Sequence, residues 1–500
     1  MPKSPSCHKE FAISLTKSLA DADGFKQILC IFAGGKTRLT YMIVMKFGGT
    51  SVADSTAISR TIEIIRKKLA ERPVVVVSAL SKVTDLLYKI SDKAKDRDKS
   101  GAYELMAQLR TRHVTLAEEL INTDTCNASA QDCASMLEDA KCRIGAICDR
   151  LEHFVDAVCE LGELSDRSKA VIIGNGEYLS SNVICLAMNA RGIRTHLMDS
   201  RKMIITDNVF LKGEPRTELT TTKVNAEVNA EYTDCDAVIT QGFVSATEDG
   251  EPTVLGRGGS DYTASLIGMA VGATRIEIWT DVDGVKTADP RKVENTRSLE
   301  RISFEEAAEM AHFGAKVLHP MTIEPAVRKD IPIYVLNSMN PEGKGTVILR
   351  SSMIEDGVKS VSSKENILVI NIFSTKMINV AGFLMNVFEI FSRNKVSVDL
   401  ISTSEANISV TVDASQNVDK VIEELSAFAE VYVDRDKAQV SVIGKNLDNV
   451  TGILEKTFAP LRDYKIYMIS QGASYVNISF IVDRSSMDTV VSLLHRSLFR

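Results

Sequence analysis

The chain has no CxxC pair among its nine cysteines, no long basic stretch, and no apolar run near the ~20 residues that cross a bilayer. Each absence removes a class of function. Nine cysteines in 500 residues are too sparse for a disulfide scaffold. Cys126, Cys133, Cys142, Cys148 and Cys159 cluster in a stretch that otherwise reads as helix. Their spacing fits no ligand loop, so buried free thiols stand ahead of a metal or redox site, and a reducing compartment is the better reading. A formal charge of −7 without a basic run argues against nucleic acid as the main partner. It leaves room for a small anionic ligand, which needs only a local positive site. The missing apolar run sets a membrane aside. The first forty residues lack a strong secretory core and mix Lys and Ser with Glu10, Asp21 and Asp23. They read as an organelle-targeting segment or as a start placed too early, since Met42 and Met45 directly precede the first motif. Ala33-Gly-Gly-Lys-Thr37 imitates the end of a P-loop without its leading glycine.

What is present suits a multidomain globular protein: 44% apolar residues in a length that predicts about two to four domains. The organising stretch is Met45-Lys-Phe-Gly-Gly-Thr-Ser-Val-Ala-Asp54. A strand over Tyr41 to Met45 meets Lys46, Gly48 and Gly49, and a helical pattern starts near Ser55. Strand, Gly-Gly turn and helix present backbone N–H groups to a phosphate, and Lys46 adds a movable charge. Leu255-Gly-Arg-Gly-Gly-Ser-Asp-Tyr-Thr263 is a second glycine cluster before a helix. Arg257 and Ser260 offer donors there, and Asp261 is either an N-cap or a working carboxylate. Together the two clusters predict a two-sided phosphate cradle.

The stretches between supply an α/β frame. Val74 to Val77 predicts a buried parallel strand ending at Ser78, with Ser81 and Thr84 before the next helix as ligand hydroxyls, helix caps or both. Residues 101–161 read as helix throughout, and Ala170 to Ile173 as a strand running into Gly174-Asn-Gly-Glu177. Glu177 either serves a helix dipole or holds a substrate amine. A helix is expected over Tyr178 to Ala190, short strands at Thr195 to Met198 and Ile204 to Ile205, polar loop over 206–223, and strands at Ala237 to Thr240, Arg275 to Trp279 and Ile333 to Leu336. Thr280, Asp281 and Asp283 follow the Arg275 strand; the two acids point the same way and suit either a metal or a turn. A helix over Phe304 to Ala315 ends beside Lys316, and His319 before proline is better read as structural than as a base.

A hinge follows, Pro341-Glu-Gly-Lys-Gly345 and then a polar stretch. Beyond it, strands and amphipathic helices alternate twice, with strands expected at 396–401 and 407–412 and then at 465–470 and 475–482. Ser402-Thr-Ser-Glu-Ala-Asn-Ile-Ser-Val410 echoes Ser470-Gln-Gly-Ala-Ser-Tyr-Val-Asn-Ile-Ser479 about seventy residues on, an internal repeat of two βαββαβ-like modules.

On these motifs the chain resembles aspartate kinases of the amino-acid kinase family with two ACT domains, of the lysine-sensitive monofunctional type. The resemblance rests on Lys46-Phe-Gly-Gly-Thr-Ser-Val-Ala53, Gly256-Arg-Gly-Gly-Ser-Asp261, Trp279-Thr-Asp281, Phe313-Gly-Ala-Lys-Val-Leu-His-Pro320, Gly382-Phe-Leu384, Ser397-Val-Asp-Leu-Ile401 and Thr403-Ser-Glu405. It implies an α/β fold, a three-layer sandwich with a mainly parallel sheet, plus two ferredoxin-like α+β modules. It implies an N-terminal extension at 1–41, a catalytic domain at 42–345, a hinge at 346–361, one ACT domain at 376–440, and a second from 362–375 with 441–500. The implied reaction moves the γ-phosphoryl group of ATP, with Mg²⁺ carried by the nucleotide, to the β-carboxylate of L-aspartate. Lys46, Gly48, Gly49 and Asp261 would carry catalysis. Lys46, Gly49, Ser260, Thr280, Asp281, Lys286, Arg291 and Lys316 would bind ATP. Thr50, Ser78, Thr84, Glu177 and Arg257 would bind aspartate.

Two departures stand out. Val209 lies where bacterial relatives carry an arginine for aspartate, a role open to Arg257 or Lys212, and Gly174-Asn-Gly-Glu177 replaces the usual Ser-His-Gly-Glu. The ACT region implies a lysine site from Met377, Phe383, Leu384, Ser397, Val398, Asp399, Ser404 and Glu405, formed where two chains pair, in a dimer or dimer of dimers. A cytoplasmic location is expected, or a plastid if the first forty residues are a transit peptide. Two other readings remain: the same fold with glutamate, acetylglutamate or a nucleotide as acceptor, and an ACT ligand sensor with an inactive kinase half.

Overall fold

Strand β1 (Ile43–Phe47) is buried at every residue, and its side chains alternate between two cores. Ile43, Met45 and Phe47 enter one and Val44 the other, as the two-residue repeat of a strand demands. A sheet with both faces covered follows. The structure is a computed structural model that describes residues 41–499 apart from 123, 125, 128, 314–319, 378–380 and 473. Lys316 and His319 therefore lie outside the described residues, as does the segment 1–40.

The next strands are β2 (Pro73–Val77), β3 (Thr195–Met198), β4 (Ile205–Thr206), β5 (Ala237–Gln241), β6 (Val244–Thr247), β7 (Pro252–Val254), β8 (Arg275–Thr280), β9 (Arg301–Ser303), β10 (Ile333–Asn337) and β11 (Thr346–Leu349). Seven of them join β1 in one eight-stranded sheet, in the order β3-β5-β2-β1-β8-β10-β11-β9. All its pairings are parallel except β10 with β11. Lys46 sits beside Val76 on β2 and Ile278 on β8, so the carboxyl ends of the central strands gather around it. Ligands of open α/β sheets bind at that edge. β4, β6 and β7 form a small separate sheet. Helices cover both faces, in the three-layer α/β arrangement expected.

Several expectations are corrected. Ala170 to Ile173 is not a strand but the end of a helix, Asp166–Ile173, capped by Ser165; a short apolar run fits either state until its neighbours decide. The loop expected over 206–223 gives way at Thr217 to a helix, Thr217–Glu231. Its buried stripe is Thr220, Val224 and Val228, and the threonine hid the period. The helical stretch 101–161 is two helices, Lys99–Leu120 and Ala130–Leu161. The Phe304 helix ends at His312, with a capping box from Ser303 and Glu306. Among the described residues no helix is long and apolar enough to cross a membrane.

The C-terminal region is one six-stranded sheet built on β12 (Gly357–Phe373), β13 (Ile401–Thr403), β14 (Asn407–Asp413), β15 (Glu430–Lys445), β16 (Met468–Ser470) and β17 (Asn477–Asp483), in the order β13-β14-β12-β15-β17-β16. The expected hinge at 346–361 thus contains β11 and the start of β12. The expected pairing of 362–375 with the second module holds only in part. Ser362 to Lys364 faces Gln439 to Ser441, whereas Ile367 to Phe373 lies between β14 and the first half of β15. The strand expected at 396–401 shrinks to Ile401–Thr403, because the Gln416 side chain takes the backbone of Ser397 at 2.6 and 2.9 Å. One face of this sheet is covered by its own helices. On the other, Ile367, Val369 and Ile481 share a core with Ile302, Phe304 and Ala307.

Candidate active site

The Gly48–Gly49 turn is held between two strand ends. Gly48 N–H donates to Trp279 O at 3.1 Å, and Gly49 O accepts from Ser81 N at 3.1 Å. A Cβ on Gly49 would lie 3.1 Å from Ala79 O, so the backbone of the turn comes as close to the β2 loop as a side chain would allow. Lys46 rises from β1 beside this turn and pairs with Asp261 at 2.5 Å, both side chains being mostly buried. Asp261 is not an N-cap. It stands in the first turn of the helix Gly259–Val271, whose cap is Gly258 at φ +74° with no side-chain bond. Gly259 N–H donates to Gly256 O at 3.0 Å, and the Ser260 and Asp261 N–H groups stay available to an anion.

Glu177 opens the helix Asn175–Ala190 from the opposite side and is 3% exposed. Ala79 N–H donates to its Oε1 at 3.1 Å, and its Oε2 has no partner. Burial pushes the carboxyl up to about 8, against the smaller downward pull of the Ala79 N–H. A buried acceptor atom left open is a demand for a donor.

These groups share a cavity of about 490 Å³. Lys46, Gly48, Gly49, Ser260, Asp261 and Thr280 stand on its walls. So do Thr50, Ser78, Thr84 and Glu177. A second cavity of about 620 Å³ takes the other expected nucleotide residues, Asp281, Lys286 and Arg291, and is completed by Ser360 to Ser363 and Val491 of the C-terminal region. The Arg291 guanidinium is held at 2.6 Å by Asp289. The Thr280–Asp281 step, where Thr280 Oγ1 donates to Asp281 Oδ1 at 3.1 Å, divides the two spaces. Arg257 is exposed and does not reach the first cavity, and Val209 is 52% exposed and off the wall.

Sequence reasoning passed over three contributors. Lys82 and Phe243 line the cavity, both at positive φ, 66° in each case. Strained backbone of this kind clusters at working sites. Arg112, on the helix Lys99–Leu120, donates to Ser81 O at 2.9 Å and Ala53 O at 3.2 Å, tying together the two loops that form the cavity. Neither strain nor a contact across thirty residues leaves a local pattern, although Lys82 lay inside a segment already singled out.

The expected effector residues divide by burial. Asp399 is 8% exposed in its side chain and pairs with Lys364 at 2.7 Å and His312 at 3.7 Å. Phe383 is buried edge-on to Phe428. Met377 and Val398 are partly buried, and Leu384, Ser397, Ser404 and Glu405 are exposed.

The amino acid kinase family matches residues 41–337, and the ACT domain matches 370–427 and 440–498. The chain belongs to the aspartokinases of the amino acid kinase family. Lysine-sensitive aspartokinase 3 of Escherichia coli is 33% identical over 473 residues, covering 92% of this chain and all of that protein. Aspartokinase 1, chloroplastic, of Arabidopsis thaliana is 35% identical and covers 91% of this chain and 80% of the relative. The aspartokinase architecture extends to the coordinates. E. coli aspartokinase III in complex with aspartate and ADP (R-state) aligns with a TM-score of 0.78 at 32% identity, covering 92% of this chain and all of that one. The same enzyme with lysine and aspartate (T-state) gives 0.75.

Proposed function

We propose that this aspartokinase transfers the γ-phosphoryl group of ATP to the β-carboxylate of L-aspartate, giving 4-phospho-L-aspartate, under feedback by lysine through its ACT modules. The observation that carries this reading is the placement of opposite demands on one cavity: Lys46 and the glycine turn at one wall, and the open buried oxygen of Glu177 at another. A carboxylate is already a nucleophile, so the protein needs to position it and to spread the charge on the transferred group. Lys46 with the Gly48 and Gly49 backbone would neutralise that charge, and Asp261 would hold Lys46 in line. Ser260 and Thr280, with Asp281, Lys286, Arg291 and Lys316, would hold the nucleotide. Thr50, Ser78 and Thr84 would hold aspartate, whose ammonium meets Glu177.

Among the described residues no three acidic, His or Cys side chains converge as a metal cage. A magnesium ion would be carried on the nucleotide phosphates, as is usual for this hard cation, with Asp261 the carboxylate beside Lys46. Its chemistry when bound is to offset phosphate charge.

Met377, Phe383, Leu384, Ser397, Val398, Asp399, Ser404 and Glu405 would form the lysine site where two chains pair, in a dimer or dimer of dimers. The compartment is the cytoplasm, or a plastid if residues 1–41 are a transit peptide. The test is aspartyl hydroxamate formation from Mg-ATP, L-aspartate and hydroxylamine, with lysine, threonine and methionine added separately. Product formation suppressed by lysine is expected. Absence of hydroxamate, or product with glutamate in place of aspartate, rules the reading out.

A further inference from the structure

L-Aspartate brings three charges to the cavity, and the groups assigned so far answer two. Glu177 suits the ammonium, and the β-carboxylate must face Lys46 to receive the phosphoryl group. The α-carboxylate is left. Among the described residues the lysines on the cavity wall are Lys46 and Lys82, and no arginine lines it. Lys46 is taken by Asp261 at 2.5 Å. We infer that Lys82 is the cation that receives the acceptor's α-carboxylate and so sets selectivity for an acceptor with that group free; this rests on the aspartate reading above.

The local structure supports the assignment. Lys82 ends the loop that follows β2, and Ala79 of the same loop holds Glu177 Oε1. The acceptor's ammonium and α-carboxylate leave one carbon, so their partners must lie close together along the wall. Lys82 is the N-cap of the helix Val83–Lys95, at φ +66° and without a side-chain cap bond. That conformation suits glycine and costs a lysine something of order 1 kcal/mol or more, yet a lysine occupies it. Its ammonium has no carboxylate partner among the described residues, although Asp85 stands one turn on. Val83 N–H donates to Leu80 O at 2.9 Å, and the Thr84 and Asp85 N–H groups of the first turn add donors on the same side. Arg112 fixes this loop through Ser81 O. The other candidates do not reach: Val209 carries no charge, Arg257 and Lys212 are absent from the wall, and the Lys212 stem lies against Gly256.

The test compares L-aspartate with its α-carboxamide as acceptors, for the wild type and for Lys82→Gly and Lys82→Arg. Glycine suits φ +66°, so the first variant removes the cation without straining the fold. The wild type should prefer aspartate strongly. Lys82→Gly should raise KM for aspartate about 10-fold or more, as loss of a charge-assisted contact does. It should leave KM for ATP in place and abolish the preference over the carboxamide, and Lys82→Arg should restore both. A Lys82→Gly enzyme that keeps the wild-type KM and preference overturns the inference while leaving the aspartate reading intact. A wild type that forms no aspartyl hydroxamate overturns the underlying reading, and this one with it.

Discussion

Glu177 shows how much a single side chain can be misjudged without its surroundings. In the sequence it was an acid at a helix start, equally suited to a dipole and to an amine. The proposed amine role rests on its burial and open Oε2. Burial raises its carboxyl to about 8, whereas an unfolded chain ionises it near 4.5. Between those values the native state holds a proton that the unfolded state has lost, so this group's contribution to stability falls as pH rises from 4.5 to 8. An ammonium arriving beside Oε2 reverses the preference. Aspartate binding at pH 7 should therefore release about one proton, read by calorimetry in two buffers of different ionisation enthalpy. Glu177→Gln should bind weakly and release none. Wild-type heats independent of buffer would refute the assignment. Lys46, Asp261 and Ser260 were legible because glycine clusters advertise themselves. Arg257 misled for the same reason: it sits inside such a cluster, but its side chain leaves the wall.

Elements were legible where burial was one-sided or complete. The fully buried β1, apolar but for Lys46, and the all-apolar β2 declared themselves. The helix at Thr217 did not, because a threonine fills one of its core positions, and Ala170 to Ile173 offered too few residues to show a period. Contacts between elements were not legible at all. The helix Lys99–Leu120 lies in a stretch that read only as helix, yet its Arg112 spans from Ser81 O to Ala53 O. Arg112→Met should cost roughly 2 kcal/mol of stability through the lost charged hydrogen bonds. It should also lower kcat/KM for both substrates about 10- to 100-fold, since both loops shift. Arg112→Lys should recover part of each. Urea melts and steady-state rates measure the two effects, and a Met variant with unchanged kcat/KM would show that the loops hold themselves.

At the scale of the whole molecule, the kinase and ACT regions meet through a shared apolar core and through specific polar contacts. The helix Phe304–His312 lies against the ACT sheet. Its Glu309 accepts from Asn477 Nδ2 at 2.5 Å, and its His312 points toward Asp399. Thr287, in the loop that walls the second cavity, shares a 2.8 Å hydrogen bond with His495 of the C-terminal helix, and its carbonyl accepts from Val361 N at 2.8 Å. Asp399, in the proposed lysine site, thus reaches the kinase half through His312. Lys364 already occupies Asp399 with an ammonium of its own. A cationic effector must displace it, so Lys364→Met should lower the lysine concentration for half-inhibition by about 3- to 10-fold while kcat without lysine is retained. Unchanged or weaker inhibition would show that the two ammoniums do not compete. The two-part plan and the repeat were visible in the sequence, because echoing segments survive divergence. The sharing of one strand was not, because register across a sheet leaves no trace in periodicity.

That shared strand bears on how the chain can be divided. β12 serves the second module up to Lys364 and the first from Ile367, turning at Asn366, whose φ of +58° marks the irregularity in pairing. A seam before Gly357 leaves the regulatory half whole. One drawn near residue 366, where two repeats would seem to part, removes a strand from each side. Neither repeat is a transplantable cassette: grafting one onto another enzyme would carry half of its neighbour's sheet along.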